Sequence, residues 1–416
     1  MAAVRDSAER FWNLTPDDTD VHPFAPLLAV EEIAPRVAFV SSFANVTAFD
    51  TDEGLVLFDT GSFLLAAPTK ELVRVFTPRA LHTAIFSHGH VDHCFGVDLY
   101  EAEREHGYRA RVLAHEAVPA RFDRYRLTRG YNACINARQF NTGAVFPDTF
   151  RYPDETYADA RTLDVGGVHI ELHHARGETD DHTWAWLPKE RVLCTGDLFI
   201  WATPNCGNPQ KVQRYPREWA RALRAMEALG AETLCPGHGP PVLGEARVRQ
   251  ALGDTATLLE SLCDQTLALM NEGARLDRIL AEVKAPPALL ERPYLRPIYD
   301  EPEFIVRNLW RLYGGWYDGN PARLKPGSDR ALAEEMATLA GGASMLADRA
   351  RELATQGLGE RELALACHLA EMAALAAPGD EGIWATRALV YRARERHETS
   401  LMAKGIYRSA ADEERH

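Results

Sequence analysis

The decapeptide SHGHVDHCFG at residues 87–96 constrains this chain more than any other stretch. It follows HTAIF, whose β-branched and aromatic residues predict a short buried strand, and precedes VDLYEAEREHG, which reads as helix. Side chains two apart on extended backbone point the same way, so His88 and His90 address one point in space. Asp92 and His93 fall where strand gives way to helix and can address a second point nearby. Imidazoles mixed with a carboxylate form a donor set for zinc, manganese or iron acting as a Lewis acid. A fold that uses this segment must bring a strand end, a turn and a helix start to one place.

The surroundings fit such a fold. RVAFVSS, NVTAFDT and GLVLFDTG predict three strands, residues 63–76 a helix that ends before Pro78, RVLAH a strand and AVPARFDRYRL a helix. TLDV with VHIELHHA, HTWAWLP and RVLCTGDLF add strands, WARALRAMEALGA an amphipathic helix, and ETLCPGHG a strand running into a glycine loop. Strands interleaved with helices over such a length predict sheets covered by helices, an α/β or α+β layered domain. From Glu245 onward helical patterns take over. The chain, at 416 residues, is too long for one ordinary core. The expected division is an N-terminal extension (1–26), a catalytic domain (27–244) and a helical domain (245–416).

Taken in order, these motifs resemble the metallo-β-lactamase superfamily, an αββα sandwich with two metals at one edge of its sheets. The resemblance implies that Asp59 of GLVLFDTG supports the site from behind, Asp197 of TGDLF bridges the metals, and His238 of CPGHGPP is the last ligand. At the position where the superfamily usually places a histidine after a glycine, Glu178 follows Gly177 here. A carboxylate nineteen residues before the bridging one resembles the alkylsulfatase branch. Glu178 is therefore the expected third ligand beside His88 and His90, with His173, His174 or His182 as the alternatives. RNLWRLYGGWYDGNPARLKP is similar to the alkylsulfatase dimerisation domain, which implies a homodimer. The chain ends before the sterol-carrier-like domain of those enzymes, so a smaller or more polar substrate is expected. For the sulfo group the resemblance implies Lys211 or Arg214, the latter with a two-point fork. Tyr131, Asn136 and Arg138 of GYNACINARQF, and Tyr317, are the further candidates for substrate binding.

Bulk properties narrow the partners. A net charge of −14 disfavours nucleic acid and anionic membranes. No run approaches the roughly 20 apolar residues of a membrane helix, and no secretory signal is read, so the cytoplasm is expected. Seven cysteines without a CxxC pair suit a reducing compartment. The expected activity is hydrolysis of a small anionic sulfate ester or sulfamate, using two divalent ions, zinc or manganese. Asp92 and Asp197 would serve an activated water, and Lys211 or Arg214 the leaving charge. A lactone, thioester, β-lactam or phosphodiester hydrolase on the same fold is the alternative, and a non-hydrolytic diiron protein or metal-binding scaffold the third reading.

Overall fold

The computed structural model describes residues 3–15, 17–18, 21–104, 107–356 and 359–413. Strands β1 (Ala29–Ala34), β2 (Val37–Ser41), β3 (Val46–Thr51) and β4 (Gly54–Phe58) form an antiparallel meander. Strands β5 (Leu81–Ile85), β6 (Arg111–His115) and β7 (Glu155–Tyr157) continue the same seven-stranded sheet in parallel. Antiparallel neighbours need only tight turns, whereas parallel ones need a crossover; helix Ala66–Phe76 supplies it between β4 and β5. The helix after the histidine motif is Val97–Glu101, and its expected continuation through residues 105 and 106 lies outside the described residues.

The second sheet has six strands: β8 (Ala160–Val165), β9 (Val168–His174), β10 (Thr183–Leu187), β11 (Val192–Ile200), β12 (Thr233–His238) and β13 (Val242–Leu243). Its order is β13-β12-β11-β10-β9-β8, with β11 and β12 parallel across helix Pro216–Glu227. Phe39, Phe49, Val56 and Phe58 of the first sheet share a core with Ile170, Leu172, Leu187 and Cys194 of the second, so the sheets pack face to face. Trp184, Trp186, Leu193 and Phe199 point to the other side, into a cluster with Trp219, Leu223, Leu252, Leu259 and Leu262 from two covering helices. Helix Ala66–Phe76 lies on β1 and β2. This is the αββα arrangement, α+β in class.

The chain divides into two compact units, Met1–Arg129 with Pro147–Gly315, and Gly130–Phe146 with Trp316–His416. The division expected near Gly244 therefore falls inside the first unit. Strand patterns do stop there: Gly244, at φ +98°, leads from β13 into helix Glu245–Asn271. That helix nevertheless shares its core with Trp219, Leu223 and Met226, and helix Pro302–Gly314 adds Ile305 and Leu309 to the same cluster. A change of secondary structure and a change of packing partner are different events, and the sequence pattern registers the first. The N-terminal extension joins this core as well, through Phe11 and through Trp12 stacked on Tyr294 at 5.4 Å.

The second unit is helical, with helices Asp329–Ala340, Ala343–Gln356, Glu360–Ala376, Glu381–His397 and Leu401–Ala411. Ser328, Asp380 and Ser400 cap three of them, each accepting a backbone N–H three residues on. Its interfaces are alanine-rich, with Ala350, Ala366, Ala370 and Ala373 wholly buried, which lets the helices approach closely.

Leu259 is fully buried in the first unit's core. Leu259→Ala should cost about 2–5 kcal/mol, read as a lower denaturant midpoint for that unit. An unchanged midpoint would detach helix Glu245–Asn271 from this core.

Candidate metal centre

Asp59 follows directly on β4 with φ +61°, a left-handed conformation that aspartate tolerates better than bulkier residues. This turns its carboxylate beneath the loop that leaves β5. Oδ1 accepts the Ser87 N–H at 2.7 Å; Oδ2 accepts the Ser87 hydroxyl at 2.8 Å and His93 Nδ1 at 2.7 Å. A carboxylate partner requires the proton on His93 Nδ1, so Nε2 is the nitrogen that can give up its proton to a cation. The same logic recurs twice. With its own proton committed to Asp59, the Ser87 hydroxyl accepts from His88 Nδ1 at 2.9 Å, and the Phe43 carbonyl accepts from His238 Nδ1 at 2.5 Å.

Two groups of possible ligands result. His88, His90, Glu178 and Asp197 form one, Asp92, His93 and His238 the other; within each, the ligand atoms lie within 4.8 Å of one another. Glu178 Oε2 is 3.4 Å from both His88 Nε2 and His90 Nδ1. Asp92 Oδ2 is 3.3 Å from His238 Nε2. Asp197 reaches across: Oδ1 is 3.4 Å from His93 Nε2, while Oδ2 is 3.5 Å from His238 Nε2 and 3.9 Å from His88 Nε2. His93 Nε2, Glu178 Oε2 and Asp197 Oδ1 are buried without a hydrogen-bond partner. Three unsatisfied polar atoms in one spot are costly, and divalent cations would satisfy all three. The residues present fit a metal pair.

The electrostatics agree. Burial alone would raise all three carboxyls, but they are held well below the ordinary range, Asp92 by His93 and His238, Glu178 by His90 and Arg214, Asp197 by His238 and His93. Burial opposes charge on the imidazoles too, yet the carboxylates lift His93 well above its ordinary value and His238 to about 10. His90 is pressed by burial to about 4, despite Glu178. The cluster is an anionic hole that draws positive charge.

Residues 41–238 match the family model described as metallo-beta-lactamase superfamily. The chain carries a metallo-β-lactamase domain over those residues. Residues 275–416 match the model described as alkyl sulfatase dimerisation. A linear primary-alkylsulfatase of a Pseudomonas strain is 27% identical over 316 residues, 70% of this chain and 60% of that protein. An (R)-specific secondary-alkylsulfatase of Pseudomonas is 30% identical over 363 residues, 78% and 54% respectively. An alkyl/aryl-sulfatase of Saccharomyces cerevisiae is 26% identical over 340 residues, 74% and 52%. The chain thus spans between half and three fifths of the length of these relatives. The solved structure of a stereoselective inverting sec-alkylsulfatase from Pseudomonas superposes with a TM-score of 0.83 over 98% of this chain and 69% of the other, at 24% identity. That likeness confirms the fold.

The other residues named from sequence take varied places. His173 stacks on Trp184, His174 on His115 at 3.7 Å, and His182 on His88 at 4.4 Å while its Nε2 donates to the Thr195 carbonyl. None of the three belongs to either ligand group. Arg214 is buried and turned to Glu178, donating to its main-chain carbonyl and lying 3.3 Å from Oε1. Lys211 is partly buried; burial and the Arg214 charge lower its ammonium to about 8, with Asp92 and Glu178 opposing. Tyr131, Asn136, Arg138 and Tyr317 belong to the second unit, where Tyr131 and Arg138 are exposed.

Several supporting residues escaped the sequence reading. Asp181, fully buried, accepts Arg121 Nε at 2.6 Å and the Gly89 N–H at 3.1 Å, fixing the turn between His88 and His90. Asn205 donates to Glu178 Oε1. Tyr299 packs on Phe24 at 4.7 Å, and burial together with Glu178, Asp92 and Asp197 pushes its phenol up. Among the ligand side chains, Asp92 at 22% and His90 at 18% are the most exposed, so the centre opens on their side.

A Cβ on Gly237 would lie 1.9 Å from Asp197 Oδ1. Gly237→Ala should therefore displace the shared carboxylate and remove at least one metal equivalent by elemental analysis; unchanged content would count against its shared position. Asp300 is fully buried, and burial pushes its carboxyl from 3.8 up to about 7. A raised value means that folding favours the protonated form; its stabilisation is complete below the ordinary value and lost as pH rises through about 7. Relative to Asp300→Asn, the wild type should lose thermal stability between about pH 4 and 8; parallel curves would contradict this.

Proposed function

We propose that this chain is a binuclear metal-dependent hydrolase of sulfate esters, with sulfamates as a close variant. One observation carries the reading: the Asp197 carboxylate faces imidazoles of both ligand groups, which are set side by side at the sheet edge. The choice of sulfuric esters rests on the dimerisation-model match and on relatives described as alkylsulfatases.

His88, His90, Glu178 and Asp197 would hold one ion, and Asp92, His93 and His238 with Asp197 the other, zinc or manganese in each case. When bound, such ions supply Lewis acidity and activate water near neutral pH. Asp197 and Asp92 stay ionised and accept hydrogen bonds, so they orient the attacking water on the open side of the centre. Lys211, whose ammonium feels Asp92 and Glu178, offsets charge on a sulfate oxygen as a point charge. Arg214 could bind the same anion, although its guanidinium is turned to Glu178 here. Tyr131, Asn136, Arg138 and Tyr317 are proposed as substrate-binding residues on sequence likeness alone. The reading includes a homodimer, supported by the dimerisation match. It also includes a reducing, cytoplasmic setting, supported by seven unpaired cysteines. No helix among the described residues is long and apolar enough to cross a membrane.

A panel of short alkyl sulfates, sulfamates, a lactone and a nitrophenyl phosphodiester, assayed with added zinc or manganese, separates the readings. Sulfate ester or sulfamate turnover that disappears on chelation is expected; turnover of the lactone or phosphodiester alone would select the alternative. His90→Ala should lower turnover by more than about 100-fold, since loss of mere supporting partners already costs about 10–100-fold. Activity that survives both changes would refute metal dependence.

A further inference from the structure

Glu178 is the ligand residue with the most elaborate support, and that support leads away from the histidine motif. Its Oε1 accepts Asn205 Nδ2 and lies beside the Arg214 guanidinium, and its main-chain carbonyl accepts Arg214 Nη1. With Oε1 so committed, Oε2 alone is left to face His88 and His90. Asn205 and Arg214 both sit on the long connection between β11 and helix Pro216–Glu227, so the aim of Glu178 depends on what immobilises that connection.

The segment around residues 295–308 does so at four places. The Leu295 and Arg296 carbonyls accept the Thr203 hydroxyl at 2.7 Å and its N–H at 2.9 Å. Asp300 Oδ2 accepts the Gly207 N–H at 2.5 Å, while Oδ1 accepts the Glu301 N–H at 2.7 Å. Asn308 Nδ2 donates to the Arg214 carbonyl at 3.1 Å, and Asn308 Oδ1 accepts Gln213 Nε2 at 2.9 Å. The approach at Gly207 is so close that a Cβ there would stand 2.1–2.2 Å from the Phe304 and Ile305 backbone. A carboxyl with no exposure is expensive to bury, and Asp300 gains two backbone N–H partners, those of Gly207 and Glu301.

We infer that Asp300 and Asn308 are positioning residues for Glu178: by pinning the connection that carries Asn205 and Arg214, they set the affinity of the group formed by His88, His90 and Glu178. The inference rests on Glu178 being a ligand. Neither residue touches the reacting atoms. The plain structural alternative is that Asp300 merely caps helix Pro302–Gly314, in which case its loss would alter stability and leave metal binding as it was.

The test uses the full chain, stripped of metal, titrated with zinc against a chromophoric chelator and separately with cobalt(II) read by its visible absorption. Glu178→Gln is the reference and should weaken one of two equivalents. Asp300→Asn should weaken that same equivalent by about 10–100-fold, leave the other within about threefold, and shift the cobalt bands of one site. Asn308→Ala should do the same and stands in should Asp300→Asn fail to fold. If Glu178→Gln weakens one equivalent while both positioning variants bind zinc and cobalt like the wild type, or weaken both equivalents alike, the inference is overturned and the ligand reading stands. If Glu178→Gln itself changes neither equivalent, the ligand reading falls and takes the inference with it.

Discussion

Three carboxylates, Asp92, Glu178 and Asp197, lie among four imidazoles in a largely buried space, and their mutual repulsion is the constraint around which this fold is built. Like charges in a low-dielectric interior interact several times more strongly than in water. The donors come from four separate places in the two sheets: the loop after β5, the β9–β10 connection, Asp197 within β11, and the last residue of β12. No local segment could hold them together. The two sheets do, because a packed sandwich fixes the relative positions of its strand ends to a fraction of an ångström.

Behind several of the donors stands a residue that fixes their direction. Asp59 and Ser87 set His93 and His88, the Phe43 carbonyl sets His238, and the Arg121–Asp181 pair sets the turn between His88 and His90. Buried ion pairs of this kind contribute little net stability, and breaking one by removing a partner costs about 3–5 kcal/mol. What they contribute is orientation. A centre whose lone pairs are already aimed needs little rearrangement to receive cations, which ties the cost of the polar interior to its chemistry.

The convergence of His88, His90, Asp92 and His93 was legible because four donors within six residues at a strand end have few other ways to be arranged. Asp197 and His238 were legible only through the resemblance of TGDLF and CPGHGPP to superfamily motifs, and Glu178 only through its resemblance to the alkylsulfatase branch. The residues that escaped share one property: each acts across a distance that no local pattern encodes. Asp181 reads as half of an exposed DD pair, yet one of the two is fully buried and the other is not. Asn205 and Asp300 read as loop residues, because the 94 positions between them hide that both bear on the same connection. The compact unit extends past the expected division near Gly244 for a related reason. Helical periodicity identifies helix Glu245–Asn271, but nothing in that periodicity says that its apolar face belongs to Trp219 and Leu223.

The central claim is that one carboxylate, Asp197, joins two cation sites. Anomalous diffraction from zinc-loaded crystals at the zinc absorption edge tests it most directly. The account predicts two peaks, one against His88, His90 and Glu178 and one against Asp92, His93 and His238, with the Asp197 carboxylate between them. A single peak, or peaks that leave Asp197 untouched, would contradict it.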